Sequence, residues 1–296
     1  MRFAQALIGA KATDYVAIGV AAEEAGFDAV ALSDHVIYPA ELHSKYPYTA
    51  DGRPQYDPAW DFPDPWVTVG ALASVTERLE FFTNVYVLPA RNPLVVAKAV
   101  GTAAALSGGR VRLGIGVGWM REEFDLLEQR FDNRGKRTDE SIDVLRDLFA
   151  GGMVHHESAN YHFDGIDMRP VPPGPVPVYV GGDSEIALRR AARNDGWIGV
   201  NYTLDQLEAH CETVRRLRAE YGRSAESFEI VASPMTAPRP EVVERLEAMG
   251  VTTILTSAWM AAGRDASDRA EAIDMVRSYG EKFIRPLGDG RSRSGA

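Results

Sequence analysis

Arg110-Val111-Arg112-Leu113-Gly114-Ile115-Gly116-Val117-Gly118-Trp119, deep inside a chain of 296 residues, is the run on which the fold turns. Val, Leu and Ile at alternate positions mark a strand, and Gly114, Gly116 and Gly118 leave its other face without side chains. Such a strand is weakened unless another group approaches its backbone closely. A flat ring would be one such group, and tight packing inside a barrel would be another. The glycines lie within and at the end of the strand, with no strand-turn-helix start around them, so this is not the dinucleotide-binding glycine fingerprint. Working outward, β-rich runs at 2–8, 28–33, 79–85, 110–116, 177–181, 196–201, 228–233 and 252–256 alternate with helical stretches at 13–25, 64–76, 92–107, 138–150, 184–194, 204–221, 239–249 and 267–283. In 138–150, Ile142, Leu145 and Phe149 form one apolar stripe, and Ile273, Val276, Gly280 and Phe283 repeat it in the last helix. Eight βα units predict an α/β fold, a (β/α)8 TIM barrel, with a doubly wound open sheet as the alternative that a count does not exclude.

The expected organisation is one barrel domain over 1–287, followed by a small polar tail, 288–296, expected to be disordered. Insertion loops follow strands 2 and 4, at 34–62 and 151–176, each longer than a simple connection. The first, rich in Pro, Tyr and Asp, leaves the C-terminal end of a barrel strand and is expected to cover a substrate. Both segments are expected to set substrate choice. A net charge of −10 leaves no broad basic field for a phosphate backbone, so nucleic acid is not an expected partner. The N-terminus lacks the charged start and apolar core of a signal peptide, and no run of 18 apolar residues follows, so a cytoplasmic protein without membrane attachment is expected. The single cysteine, Cys211, excludes an internal disulfide and shares helical spacing with Leu207, Val214 and Leu217, a core position.

Candidate site residues cluster at strand ends. Asp34 and His35 directly follow Ala29-Val30-Ala31-Leu32, where a carboxylate and a titratable imidazole would point into a barrel site. A structural histidine bonded to a backbone carbonyl is the alternative. Thr83, Asn84 and Val85 end the third strand, where an Asn amide can meet a heterocycle edge or simply stop a strand. Gly116, Gly118 and Trp119 belong to the glycine-bearing run. Gly181-Gly182-Asp183-Ser184 follows Val178-Tyr179-Val180 and opens a helix, so its backbone N–H groups could take a phosphate, although Asp or Ser there is also an ordinary N-cap. Arg134 and Arg137 could supply countercharge or be solvated.

Together these stretches resemble the luciferase-like monooxygenase superfamily. The resemblance is carried by Glu24-Ala25-Gly26-Phe27-Asp28 leading to Ser33-Asp34-His35; Asp64-Pro65-Trp66 with Thr76-Glu77-Arg78-Leu79; Leu88-Pro89-Ala90-Arg91-Asn92-Pro93; Leu106-Ser107-Gly108-Gly109-Arg110; Gly116-Val117-Gly118-Trp119 with Glu122-Glu123-Phe124; Arg134-Gly135-Lys136-Arg137; and Val180-Gly181-Gly182-Asp183-Ser184. It extends from about residue 2 to about residue 200, looser beyond, and is greatest to the coenzyme F420-dependent oxidoreductase branch, in which Tyr46-Pro47-Tyr48 and the Gly-Trp-x-x-Glu-Glu-Phe run are familiar. The resemblance implies a cofactor ring over the strand ends, a bulge of Thr83-Asn84-Val85 beneath it, a phosphate at Gly181–Ser184, His35 beside the ring as the proton-transferring catalytic residue, and Glu123 among the cofactor-binding residues. The sugar-phosphate dehydrogenases of that branch carry a catalytic Glu where this chain has Trp119, so that particular activity is not expected.

A deazaflavin has carbon in place of the central redox nitrogen and carries hydride, whereas reduced FMN in the same pocket would activate oxygen. The expected function is therefore hydride transfer between coenzyme F420 and a small-molecule organic substrate. A two-component FMN-dependent monooxygenase fed by a separate reductase is the alternative, and a non-catalytic flavin-binding protein of the same fold is the second. Arg134 and Arg137 are expected to hold the acidic tail of F420, making binding salt-sensitive. Family habit also implies a homodimer.

Overall fold

The computed structural model describes residues 1–49 and 51–287; the expected tail, 288–296, lies outside the described residues. The chain begins with β1 (Arg2–Ala6), α1 (Tyr15–Ala25), β2 (Ala29–Leu32), α2 (Pro65–Ala73), β3 (Glu80–Thr83), β4 (Tyr86–Val87) and α3 (Pro93–Leu106). Next come β5 (Val111–Gly116), α4 (Arg121–Leu126), α5 (Arg134–Ala150), β6 (Val154–Glu157), β7 (His162–Ile166), β8 (Val178–Gly181) and α6 (Glu185–Ala192). The remainder is β9 (Gly196–Tyr202), α7 (Leu204–Glu220), β10 (Glu229–Pro234), α8 (Pro240–Ala248), β11 (Thr253–Thr256), α9 (Ala258–Ala261) and α10 (Arg269–Tyr279), which runs on as a π-helical turn, Gly280–Ile284.

The strands pair in parallel in the order β3-β2-β1-β11-β10-β9-β8-β5, and β3 closes the ring onto β5 through Phe81 opposite Val111 and Phe82 opposite Arg112. Closure decides between the two architectures the strand count allowed: this is the (β/α)8 barrel. Period 2 along each strand splits the core into two layers. Val30 and Leu32 point outward into the layer beneath the helices, while Ala29 and Ala31 point inward with Ala4, Ala6, Phe82, Tyr179, Ile198, Val231 and Leu255. Small residues opposite large ones fill the barrel axis, so the interior is packed and not a pore. At its N-terminal end Glu80 accepts from Arg2 and Arg112, an ion-paired layer below the apolar ones.

Local chemistry explains the helix starts. Asp64 accepts from the backbone of Trp66 and Val67 ahead of Pro65, and Asn92 accepts from Leu94 ahead of Pro93, so both helices begin with a side-chain cap and a proline in the first turn. The third strand bulges at Thr83-Asn84-Val85, as the resemblance implies, and two other features depart from expectation. The third strand is broken: pairing stops at Thr83 and resumes on β5 at Tyr86 and Val87, with a cis peptide between Asn84 and Val85. The short helices α4 and α9 fall between the expected elements, being too brief to show a repeat. Segment 151–176 contains the antiparallel β6–β7 hairpin, whose Tyr161 and Asn160 meet Ser141 and Glu140 of α5. Its later part, Pro170 and Pro172, packs on Gly101 of α3. It follows α5 and precedes β8, and Asn160 of its hairpin reaches back to Asn133, just before the start of α5. No described helix is long and apolar enough to cross a membrane.

Candidate functional site

The mouth is built where β2, the interrupted third strand, β5 and β8 end. Asp34 does not point into it. Its carboxylate is buried and grips Arg91 through two bonds of 2.7 and 2.8 Å while accepting from the Val87 backbone at 2.9 Å. Burial raises the Asp34 carboxyl above its ordinary value while Arg91 and the Val87 N–H pull it back, and the Asp34 carboxylate in turn holds the Arg91 guanidinium up against its own burial. Asp34 thus fastens the chain just after the break to the end of β2, a structural role in place of the expected cofactor contact. The Thr83 hydroxyl donates to the Gly114 carbonyl at 2.6 Å, and the Asn84 backbone donates to Leu32 at 2.7 Å.

The break answers what approaches the glycine face. A Cβ on Gly114 would lie 1.9 Å from the Thr83 carbonyl oxygen, one on Gly116 would lie 2.6 Å from Val85, and one on Gly118 would lie 2.6 Å from Phe124 and 2.7 Å from Val87. Gly181 on β8 faces Val85 in the same way, at 2.7 Å. The expected slot for a flat ring beside Gly116 and Gly118 is therefore filled by the protein itself. The bulge pushes Val85 over both glycines, and Asn84 and Val85, each half-exposed, form the floor of the mouth.

Above this floor His35 is held from both sides. Its Nδ1 lies 3.3 Å from Glu123 Oε2 and its Nε2 lies 3.1 Å from the Tyr56 hydroxyl. Glu123 is fully buried and also accepts from the Val36 backbone at 2.6 Å. It contacts His35 and the loop, not an open cofactor pocket. Phe62, Tyr56 and Trp119 ring the imidazole with centroids at 5.4, 5.4 and 6.1 Å, and Tyr46 stands edge-on to Trp119 at 5.2 Å. Burial pushes the Tyr56 hydroxyl well above its ordinary range, so it stays a proton donor at neutral pH.

Apart from Trp119, the wall of aromatics comes from residues 33–64, which contain neither helix nor strand among the described residues. The loop is moored on opposite sides of the barrel. The Glu122 carboxylate accepts from the backbones of His43 and Ser44 at 2.7 and 2.9 Å, Gln55 meets Asn201 near the end of β9, and Asp61 accepts from Ala12 after β1. Burial would raise Glu122, but hydrogen bonds from Ser44 and nearby backbone N–H groups hold it down at about 2.

At the far side, Ser184 caps α6 by accepting from Ala187, and Gly182 adopts φ +106°, a conformation that favours glycine. The Gly182 carbonyl accepts from the Trp197 indole at 2.8 Å. Asp183 is turned onto phenols: Tyr202 hydrogen-bonds to it, while burial and the Asp183 charge push Tyr48 up to about 12. The expected arginine pair is not available as drawn. Arg137 is buried, donating to the Pro89 carbonyl and to Gln129, and Arg134 donates to the Gly118 carbonyl with its guanidinium 3.8 Å over Phe131. Both are bound inward because the α5 N-terminus must be tied to β5 and to the turn at Pro89. Tyr56 and Arg91 were not among the expected site residues; the tyrosine-rich loop and the quoted Pro-Ala-Arg-Asn-Pro stretch were their only signals.

A closed parallel barrel whose mouth is floored by a bulged third strand and roofed by an aromatic loop defines the class. The chain belongs to the luciferase-like monooxygenase family, whose model matches residues 3–291. It is 39% identical over 255 residues to an uncharacterised protein of Mycobacterium tuberculosis, covering 86% of this chain and 88% of that one. It is 33% identical over 191 residues to the F420-dependent glucose-6-phosphate dehydrogenase of Gordonia bronchialis, 62% of this chain and 52% of that enzyme. Its fold matches the coenzyme F420-dependent tetrahydromethanopterin reductase of Methanopyrus kandleri with TM-score 0.72 at 16% identity, over 96% and 98% of the two chains.

Proposed function

We propose that the protein is an oxidoreductase that transfers a hydride between coenzyme F420 and a small organic substrate at the mouth of the barrel. The observation that carries this reading is His35, fixed by Glu123 and Tyr56 inside an aromatic enclosure. A floor made by Val85 and the Asn84 amide, aromatic walls and one proton-handling group suit hydride chemistry on a tricyclic ring. The turn at Gly182 and the start of α6 fit the phosphate end, because the first N–H groups of a helix have no internal acceptor and Gly182 keeps side-chain bulk away from Ala187 and the Tyr48 hydroxyl. A bound deazaflavin would supply the hydride-carrying carbon. The residues would do the rest: Val85 and Asn84 would support the ring, Trp119 and Tyr46 would exclude water, and His35 with Tyr56 would hold or move a proton at the substrate's polar atom. The dehydrogenase relative supports F420 over FMN.

Fluorescence titration of the purified protein with reduced F420 and reduced FMN tests the choice. Tighter F420 binding with hydride transfer to carbonyl, imine or activated alkene acceptors is expected. Tighter FMN binding with oxygen-dependent product would establish the two-component monooxygenase instead. Binding without turnover across a broad substrate panel would favour a non-catalytic flavin protein.

A further inference from the structure

We infer that Glu123, His35 and Tyr56 form a directional proton relay in which Glu123 fixes the His35 tautomer and the Tyr56 hydroxyl is the group that meets the substrate. The inference rests on the proposed oxidoreductase function and adds to it which residue carries the proton and which way it moves. Both imidazole nitrogens are committed within the protein: Nδ1 to Glu123 Oε2 at 3.3 Å and Nε2 to Tyr56 at 3.1 Å. A neutral imidazole has one donor and one acceptor nitrogen, and a carboxylate only accepts. Nδ1 therefore bears the hydrogen, Nε2 is the acceptor, and Tyr56 must donate to it. That leaves His35 without a nitrogen for the substrate, whereas the Tyr56 oxygen keeps its lone pairs and stands half-buried beside Tyr46.

In this resting state the relay is an acceptor. When a substrate carbinol gives its hydride to the oxidised deazaflavin, its O–H bond breaks and the proton forms a new bond to the Tyr56 oxygen. The original Tyr56 hydrogen passes to Nε2, and the imidazolium is balanced by the Glu123 carboxylate. One hydride and one proton leave the alcohol, and a carbonyl product remains. Run backwards, the imidazolium form returns the proton through Tyr56.

Glu123→Gln is diagnostic because of Val36. Its backbone N–H, 2.6 Å from Glu123 Oε1, requires the amide oxygen to stay in that position, so the amide NH2 faces Nδ1. Nδ1 must then accept, the hydrogen moves to Nε2, and Tyr56 becomes the acceptor. The test is nitrogen-15 NMR of the full-length protein labelled at histidine, at about pH 8, above the ordinary histidine range near 6.5. The six histidines are distinguished by loss of one signal pair in His35→Gln. Expected are the Nδ1–H tautomer in the wild type and in Tyr56→Phe, and the Nε2–H tautomer in Glu123→Gln. With the cofactor that binds, Tyr56→Phe and Glu123→Gln should each lower kcat for alcohol oxidation by about 10²–10⁴-fold with KM changed only a few-fold. A wild-type Nε2–H tautomer or imidazolium, an unchanged tautomer in Glu123→Gln, or full turnover in Tyr56→Phe overturns the relay. The tautomer measurement needs no cofactor, so failure of both cofactors to support turnover would count against the proposed function and leave the spectra to judge the relay.

Discussion

Val85 shows how one side chain can decide what a row of glycines means. Its two methyl groups occupy the space above Gly116 and Gly181, so a methyl added at Gly116 collides with Val85 in the floor of the mouth. Gly116→Ala should cost about 1–3 kcal/mol by overpacking, seen as a lower Tm, and the double variant with Val85→Ala should recover most of it. If Val85→Ala brings no recovery, the methyl clash is not the cause. Asp34 supports the same floor from beneath. Asp34→Ala leaves the Arg91 guanidinium and the Val87 N–H without their acceptor, and should destabilise by about 3–5 kcal/mol in urea unfolding, in keeping with loss of one partner from a buried pair. The sequence exposed Asp34 and His35 as neighbours of interest but could not separate them. Successive residues after a strand point in different directions, and here one meets Arg91 while the other faces the mouth.

At the scale of elements, the loop 33–64 is held across the barrel by few contacts, and the Glu122 carboxylate carries two of them. Its folded value, about 2, lies below the ordinary 4.5, so the stability it contributes is fully present above about pH 4.5 and is lost as pH falls through about 2. Limited proteolysis within the loop should therefore accelerate over that window with an acid-active protease, and Glu122→Ala, which removes the acceptor of both N–H groups, should show much of the acceleration at neutral pH. Equal cleavage of variant and wild type would remove Glu122 as the mooring. The turn before α6 makes a separate prediction. Gly182→Val places a β-branched residue at φ +106° and crowds Ala187 at 3.1 Å, so cofactor affinity should weaken by about tenfold or more, about 1.4 kcal/mol, with the fold retained by circular dichroism. Unchanged affinity would move the phosphate elsewhere.

For the whole molecule, charge sets the remaining expectation. The sequence pointed to Arg134 and Arg137 as partners for an acidic cofactor tail, with binding weakened by salt. Both guanidinium groups are drawn into backbone carbonyls and Phe131, so an anion approaching a chain of net charge −10 meets mainly repulsion. Raising ionic strength from about 50 to about 300 mM, which shortens the screening length, should strengthen F420 binding or leave it unaltered; a steep loss of affinity would restore the arginines as direct contacts. What the sequence determined by itself was the alternation: a period of 3.6 gives each helix one apolar face, short β-rich runs separate the helices, and eight such pairs mark the strand ends, while the choice between barrel and open sheet waited on closure. Those signals are local, written within a dozen residues. What only the tertiary structure decided was which groups meet. Closure of β3 onto β5 seats Val85 on Gly116, places Arg91 on Asp34 across 57 positions and Glu123 on His35 across 88, and lays Tyr56 over the imidazole. No local periodicity encodes such pairings, because they are fixed by the geometry of a closed sheet and not by the order of neighbours along the chain.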